Sequence, residues 1–364
     1  MLNEERVKWI DCLRCIGIIE IFIGHSLDGQ MHNFVFGHHV ALFFFVSGAL
    51  QNINSSENFG INLNKKIKGV FVPYLYFCIL SLLVQCATKE TLDLNNIDIW
   101  IRQILVGGIR NHLFAAPLWF FTGLLCCHFF FLLFRYLLKL PRVVILIMSV
   151  GMYYIASYKM QTPPPALAYN IDSAMQYFVW YVCGWILFPI INKIVAENPE
   201  NICWKYKLNK TCIVAVICMT AWGSTNMYFQ NTIVKEIGII ADNGLLQMLL
   251  CILHPMIVIL WWVFVSVLFQ NNVVLQKIGR NTLYLNGNEF IVRELINAIC
   301  MALGINICIS NPLQAIIYAI LFISIIYKLL LPWESESLAI IQKYYDMFSD
   351  SVFAFFRIKS KLRK

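Results

Sequence analysis

Ten stretches of this chain are apolar for about the length that a bilayer demands. They lie near residues 10–27, 35–52, 69–87, 117–134, 143–158, 175–194, 211–228, 247–269, 282–305 and 312–331. A helix needs roughly 20 such residues to cross ~30 Å of hydrocarbon, with some tolerance for tilt. Within lipid every peptide group must find its hydrogen bond inside the protein, so these stretches predict an all-α polytopic fold of about ten transmembrane helices. Composition agrees: 13% of the 364 residues are charged, against about 25% in a soluble domain. The fifth stretch is short and the ninth carries charges. The opening residues, MLNEERVKWIDCLRC, hold no small-residue cleavage site, so the first stretch is expected to stay in the mature protein.

Basic residues orient the bundle. With the N-terminus in the cytoplasm, 21 of the 28 Lys and Arg residues fall on the cytoplasmic side, five on the other and two within spans. Cytoplasmic loops collect Lys and Arg, so both termini are expected there. That bias accounts for the net charge of +8 without a nucleic-acid partner. Residues 1–333 read as the transmembrane domain, and 334–364 as a basic amphipathic cytoplasmic tail held against membrane lipids. Ile97, Ile101, Ile104 and Leu105 recur at helical spacing, which predicts a short helix on the outer surface. Pro163-Pro164-Pro165 predicts a stiff connector. The thirteen cysteines are scattered without zinc-type spacing, Cys126-Cys127-His128 being a weak signal alone, so no metal is expected. No internal repeat is visible, which weighs against transporter folds built from repeats.

Ionisable residues break the apolar pattern. Asp11, Arg14, Glu20 and His25 lie at or within the first stretch, where each such group costs ~2.5–3.5 kcal/mol in hydrocarbon on insertion scales. They are therefore expected to face the protein interior or a water-filled central cavity. Arg14 and His25 are eleven residues apart, which at ~100° per residue returns almost to one helix face, with a rise of ~16 Å. Glu20 faces elsewhere and is expected to meet another helix. Glu289 and Arg293, with Glu294 beside them, form an (i, i+4) pair in the ninth stretch and again suggest a lined cavity. His254-Pro255 predicts a kinked helix with a satisfied His, and His32, His38 and His112 read as loop or interface residues.

The run RVKWIDCLRCIGIIEIFIGHSL resembles the opening helix of the membrane acyltransferase 3 family. That family has an Asp three residues before an Arg, then ten residues, then a His; Asp11, Arg14 and His25 fit. FGHHVALFFFVSGAL is similar to the family's Phe-rich segment ending in Ser-Gly, with Phe43, Phe44, Ser47 and Gly48 matching and His39 fitting a common His. Ala41 stands where Pro is frequent. Lys65, Lys66 and Lys68 ahead of Pro73-Tyr74 resemble a basic cluster before a Pro-initiated helix. Pro117-Leu118-Trp119-Phe120-Phe121 resembles a Trp-Phe motif. IGRNTLYLNGNEF is similar to a late segment in which a His often stands where this chain has Glu289. The resemblance is to the stand-alone form of the family, so the extra extracytoplasmic domain of some members is not expected here.

The resemblance implies an integral membrane sugar O-acyltransferase of a bacterial inner membrane. Its donor would be cytosolic acetyl-CoA, with no bound cofactor, and its acceptor a sugar hydroxyl of an envelope glycan or lipid-linked saccharide. The residues make sense of that chemistry. Lys65, Lys66 and Lys68, with Arg14 deeper, suit the phosphates and pantetheine arm of CoA. Asp11 lies one turn before Arg14, placed to orient its guanidinium or simply to pair with it. A neutral His25 within ~3 Å of the acceptor hydroxyl would take its proton, an effect worth ~10²–10⁴-fold; an acyl-His intermediate is the second route. His39, Ser47, Trp119, Glu289 and Arg293 are the candidates for lining the cavity or holding acceptor. Ser47 and Gly48 equally suit close helix packing, and Trp119 an interfacial anchor. The acceptor sugar, acyl length and oligomeric state stay open at this level. The rivals are a secondary transporter or glycan flippase, and an inactive relative serving assembly or sensing.

Overall fold

A computed structural model describes residues 7–26, 35, 37–52, 58–88, 94–110, 114–160, 167–197, 244–305 and 309–362. The fold is all-helical, with no strand among the described residues, as hydrocarbon requires of a backbone that must satisfy itself. The first helix, α1 (Lys8–Ser26), has 19 residues and carries Lys8, Asp11, Arg14 and Glu20. The second, α2 (His39–Ala49), has only 11. Then come α3 (Phe59–Thr88), α4 (Leu94–Leu105) and α5 (Ala116–Leu137). They are followed by α6 (Arg142–Tyr154), α7 (Ile171–Glu197) and α8 (Gly244–Leu268). The C-terminal third holds α9 (Val273–Arg280), α10 (Thr282–Gly287), α11 (Glu289–Ala302), α12 (Pro312–Ile325) and α13 (Leu331–Leu362).

Among the described residues, five helical stretches are long and apolar enough to cross a membrane: Phe59–Thr88, Ala116–Leu137, Ala168–Val195, Met248–Leu268 and Pro312–Ser351. The expected span at 211–228 lies outside the described residues, as do Pro163-Pro164-Pro165, His32 and His112. The short helix expected around 97–105 is α4, with Arg102 and Asp98 paired along it at 2.9 Å. Local chemistry sets several starts. Asn58 accepts from the Ile61 amide, Asn272 from the Val274 and Leu275 amides, and Asn311 from the Gln314 amide beside Pro312.

The expected ninth span is not one helix. Breaks fall at Asn281 and Asn288, between α9, α10 and α11. Asparagine competes for backbone partners and so favours such junctions. The buried Asn288 side chain donates to the Tyr284 carbonyl at 2.9 Å and to Glu334 at 2.6 Å. Glu334 is fully buried, and the helix from Pro312 runs unbroken through the expected tail boundary at 333/334 to Ser351. The same helix docks back on the start of α3. Asp346 pairs with Lys68 at 2.5 Å, Tyr345 donates to Asn64 at 2.6 Å, and Gln342 donates to the Lys68 carbonyl at 3.2 Å.

Small residues let the backbones touch. A Cβ on Gly48 would lie 1.8 Å from the Tyr181 carbonyl oxygen, and one on Gly184 1.9 Å from that of Phe45, so α2 and α7 cross at backbone contact. A Cβ on Gly279 would lie 1.7 Å from the Asp11 carbonyl oxygen, which seats the end of α9 against α1. His38 lies in the turn ahead of α2, yet it is not exposed there. It is 1% exposed and pairs with Glu20 at 2.8 Å, with Trp262 beside it. Glu20 thus meets a partner outside α1, as its phase on the helix requires. A buried carboxylate without one would leave its desolvation uncompensated.

Candidate active site

A cavity of about 760 Å³ opens among α1, α2, α3, α5, α7, α9, α10 and α11. Of the expected residues, Arg14, His25, His39, Ser47, Lys65, Lys66, Trp119 and Arg293 line it. Arg14 and His25 do share one wall despite their separation along α1, as their phase predicts. Three expected residues stand off the wall. Asp11 lies behind Arg14, Glu289 lies behind His25, and Lys68 turns to Asp346 on α13.

His25 is held from behind. Its Nδ1 hydrogen-bonds Oε1 of Glu289, a carboxylate 2% exposed at the first position of α11. The same oxygen lies 3.8 Å from Arg293 Nη1, one turn along that helix. A carboxylate on Nδ1 keeps the proton there and leaves the lone pair of a neutral ring on Nε2. His39 meets the His25 ring edge-on, with centroids 6.2 Å apart, and its own Nδ1 donates to the Val35 carbonyl at 2.7 Å.

Along the same helix, Asp11 serves two guanidiniums. Its Oδ1 lies 3.9 Å from Arg14, while Oδ2 accepts from Arg280 Nε at 3.2 Å. Arg280 also donates to Gln276 at 2.9 Å, which fixes the plane of its fork. Gly279 places Arg280 here, since any side chain at that position would force α9 away from Asp11.

A third corner was not foreseen from the sequence. Arg110 lies over the Trp119 ring at 5.1 Å and reaches the Tyr177 hydroxyl. Its position is set by Asn170, a fully buried residue at φ 54°. The Asn170 amide donates to the Gly108 carbonyl at 3.0 Å and to Thr122 at 2.9 Å, and its oxygen accepts from the Arg110 amide at 2.8 Å. Gly107, at φ +83° and crowded against Tyr169, allows the turn. A fourth group pairs His128 with the Tyr181 hydroxyl at 2.7 Å. Its neighbours Cys126 and Cys127 donate to the Tyr169 and Ala174 carbonyls.

The cavity wall is one-sided in charge. Arg14, Lys65, Lys66, Arg110, Arg280 and Arg293 line it, and no Asp or Glu does among the described residues. Such a wall favours anionic ligands, with a histidine set into it. A family model described as an acyltransferase domain, that of the acyltransferase 3 family, matches residues 7–331. The chain belongs to this family. Comparison with curated proteins and with solved structures finds no significant match. The protein is thus a multi-pass membrane acyltransferase, and its cavity is the candidate site of transfer.

Sequence reasoning missed Arg110, Arg280, His128, Tyr177 and Asn286 in this acyltransferase's cavity wall. Arg110 and Arg280 read as loop charges, because hydropathy sees the chain and not its return into the bundle. Gly107-Gly108 was the available signal of a tight turn ahead of Arg110.

Proposed function

We propose that this membrane acyltransferase moves an acetyl group from acetyl-CoA to a hydroxyl of an envelope glycan or lipid-linked sugar at a bacterial inner membrane. His25 is the general base, and both termini face the cytoplasm. The observation that carries the reading is the His25–Glu289 pair on the wall of a cavity that Arg14, Lys65 and Lys66 also line. Lys65, Lys66 and Arg14 hold the phosphates and the upper pantetheine arm of CoA, with Asp11, itself held by Arg280, bracing Arg14. The arm then runs along α1, which rises ~16 Å between Arg14 and His25.

At His25 the acceptor hydroxyl loses its proton to Nε2 as its oxygen attacks the thioester carbon. The Glu289 carboxylate stabilises the imidazolium that results. The tetrahedral adduct collapses by breaking the carbon–sulfur bond, and the CoA thiolate takes the proton back from Nε2. The products are an acetyl ester and free CoA thiol, with His25 neutral again. Trp119 offers a face for the sugar ring.

Purified protein in lipid nanodiscs, given acetyl-CoA and a glycan acceptor, should release CoA thiol in step with acetylated product. Glycan crossing the bilayer with no thiol released would replace this reading with the flippase one.

A further inference from the structure

We infer that the acceptor carries an oxyanion, recognised by Arg110 and Arg293 at the His25 end of the cavity; the inference rests on the acyl-transfer reading for what that anion is attached to. The first support is position. Arg293 lies one turn from Glu289, the partner of His25. Arg110 lines the same cavity, and Phe114, four residues on, packs edge-on against Phe290, the residue after Glu289, at 6.0 Å, which ties that part of the chain to the start of α11. CoA carries its phosphates a full pantetheine arm away from its thioester. With the thioester at His25, those phosphates fall to Arg14, Lys65 and Lys66, and Arg293 and Arg110 are surplus to the donor.

The second support is charge. With His25 neutral, Arg110 and Arg293 against Glu289 leave one net positive charge at this end, and no carboxylate lines the wall among the described residues. Both arginines are only half-buried, and a charge on a cavity wall with little water around it gains from a counter-charge. The third is unused donors. Arg110 Nε and Asn286 Nδ2 are buried without a hydrogen-bond partner, and both residues line the cavity. Arg110 also lies over Trp119, which holds the guanidinium at the cavity wall. An arginine fork fits a carboxylate or a phosphate, bidentate in either case. The anion is therefore the carboxylate of a sugar acid or the phosphate that links a sugar to its lipid carrier.

Three probes separate these sources: p-nitrophenyl glucuronide, p-nitrophenyl glucoside and a short polyprenyl-phosphate glucose. Binding to the full protein in nanodiscs is measured apart from turnover. The account expects the glucuronide, the phosphate-linked sugar or both to bind at least about tenfold tighter than the neutral glucoside. Arg110→Gln should remove that advantage and Arg110→Lys restore part of it, as befits one charge-assisted bond. In turnover, Arg110→Gln should raise the KM for the charged acceptor about tenfold and leave the KM for acetyl-CoA within twofold. Equal binding of all three probes, or a loss in Arg110→Gln that is the same for charged and neutral probes, overturns the inference. Arginine-dependent binding with no CoA release from any probe would uphold the anion site and discard the acyl-transfer reading instead.

Discussion

Glu289 changes what His25 can do. A bare imidazole that accepts a proton must hold the new charge alone, whereas one whose Nδ1 faces a buried carboxylate shares it. Glu289→Gln keeps the size and a hydrogen-bonding oxygen but removes the charge, and kcat is expected to fall ~10²-fold with the KM for acetyl-CoA little changed. Asp11 acts on binding. It braces Arg14 and Arg280 together, so Asp11→Asn should raise the acetyl-CoA KM about tenfold with kcat within a few-fold, read from initial rates of thiol release. The phase of Arg14 and His25 was legible because both lie on one helix. The distant partners of His25 and Asp11 were not, since Glu289 and Arg280 are more than 260 residues away and helical periodicity carries no information about which turn of another helix arrives. The three lysines read alike in the sequence, yet the π turn at Ile67–Phe71 rotates Lys68 away from Lys65 and Lys66 and toward Asp346.

Helices in this molecule are positioned by glycine contacts and local breaks, and those decide where the charges point. The crossing of α2 and α7 tolerates no side chain at Gly48. Gly48→Val should separate the two helices, cost on the order of 1–3 kcal/mol or more, and lower the unfolding temperature in detergent. An unchanged transition would mean that the crossing is looser than its backbone contact indicates. The existence of most helices follows from hydropathy, and α4 follows from the spacing of Ile97, Ile101 and Leu105. The junctions do not. Asn288 sits in an apolar run that reads as one span, and only the buried Glu334 meeting it shows why the chain bends there. Glu334 and Lys68 also show why a tail boundary drawn from composition fell inside a helix: the charged residues there are paired within the fold.

At the scale of the whole molecule, hydropathy and the bias of basic loops make the polytopic class plain, but the cavity is a property of assembly. Six cations from five separate segments meet on one wall, and four of them, Lys65, Lys66, Arg110 and Arg280, were assigned to loops by sequence alone. Donor binding that depends on this wall must weaken as salt screens it, since the Debye length falls from ~10 Å at 0.1 M to ~3 Å at 1 M. The acetyl-CoA KM is expected to rise several-fold between about 0.05 M and 0.5 M sodium chloride, more than kcat falls. A salt-independent KM would place the phosphates elsewhere. The most direct measurement compares wild-type protein with His25→Ala in nanodiscs, both saturated with acetyl-CoA and acceptor, following thiol release alongside donor binding. The account predicts a rate lower by ~10²–10⁴-fold with acetyl-CoA still bound; a variant that keeps a tenth or more of the wild-type rate would contradict it.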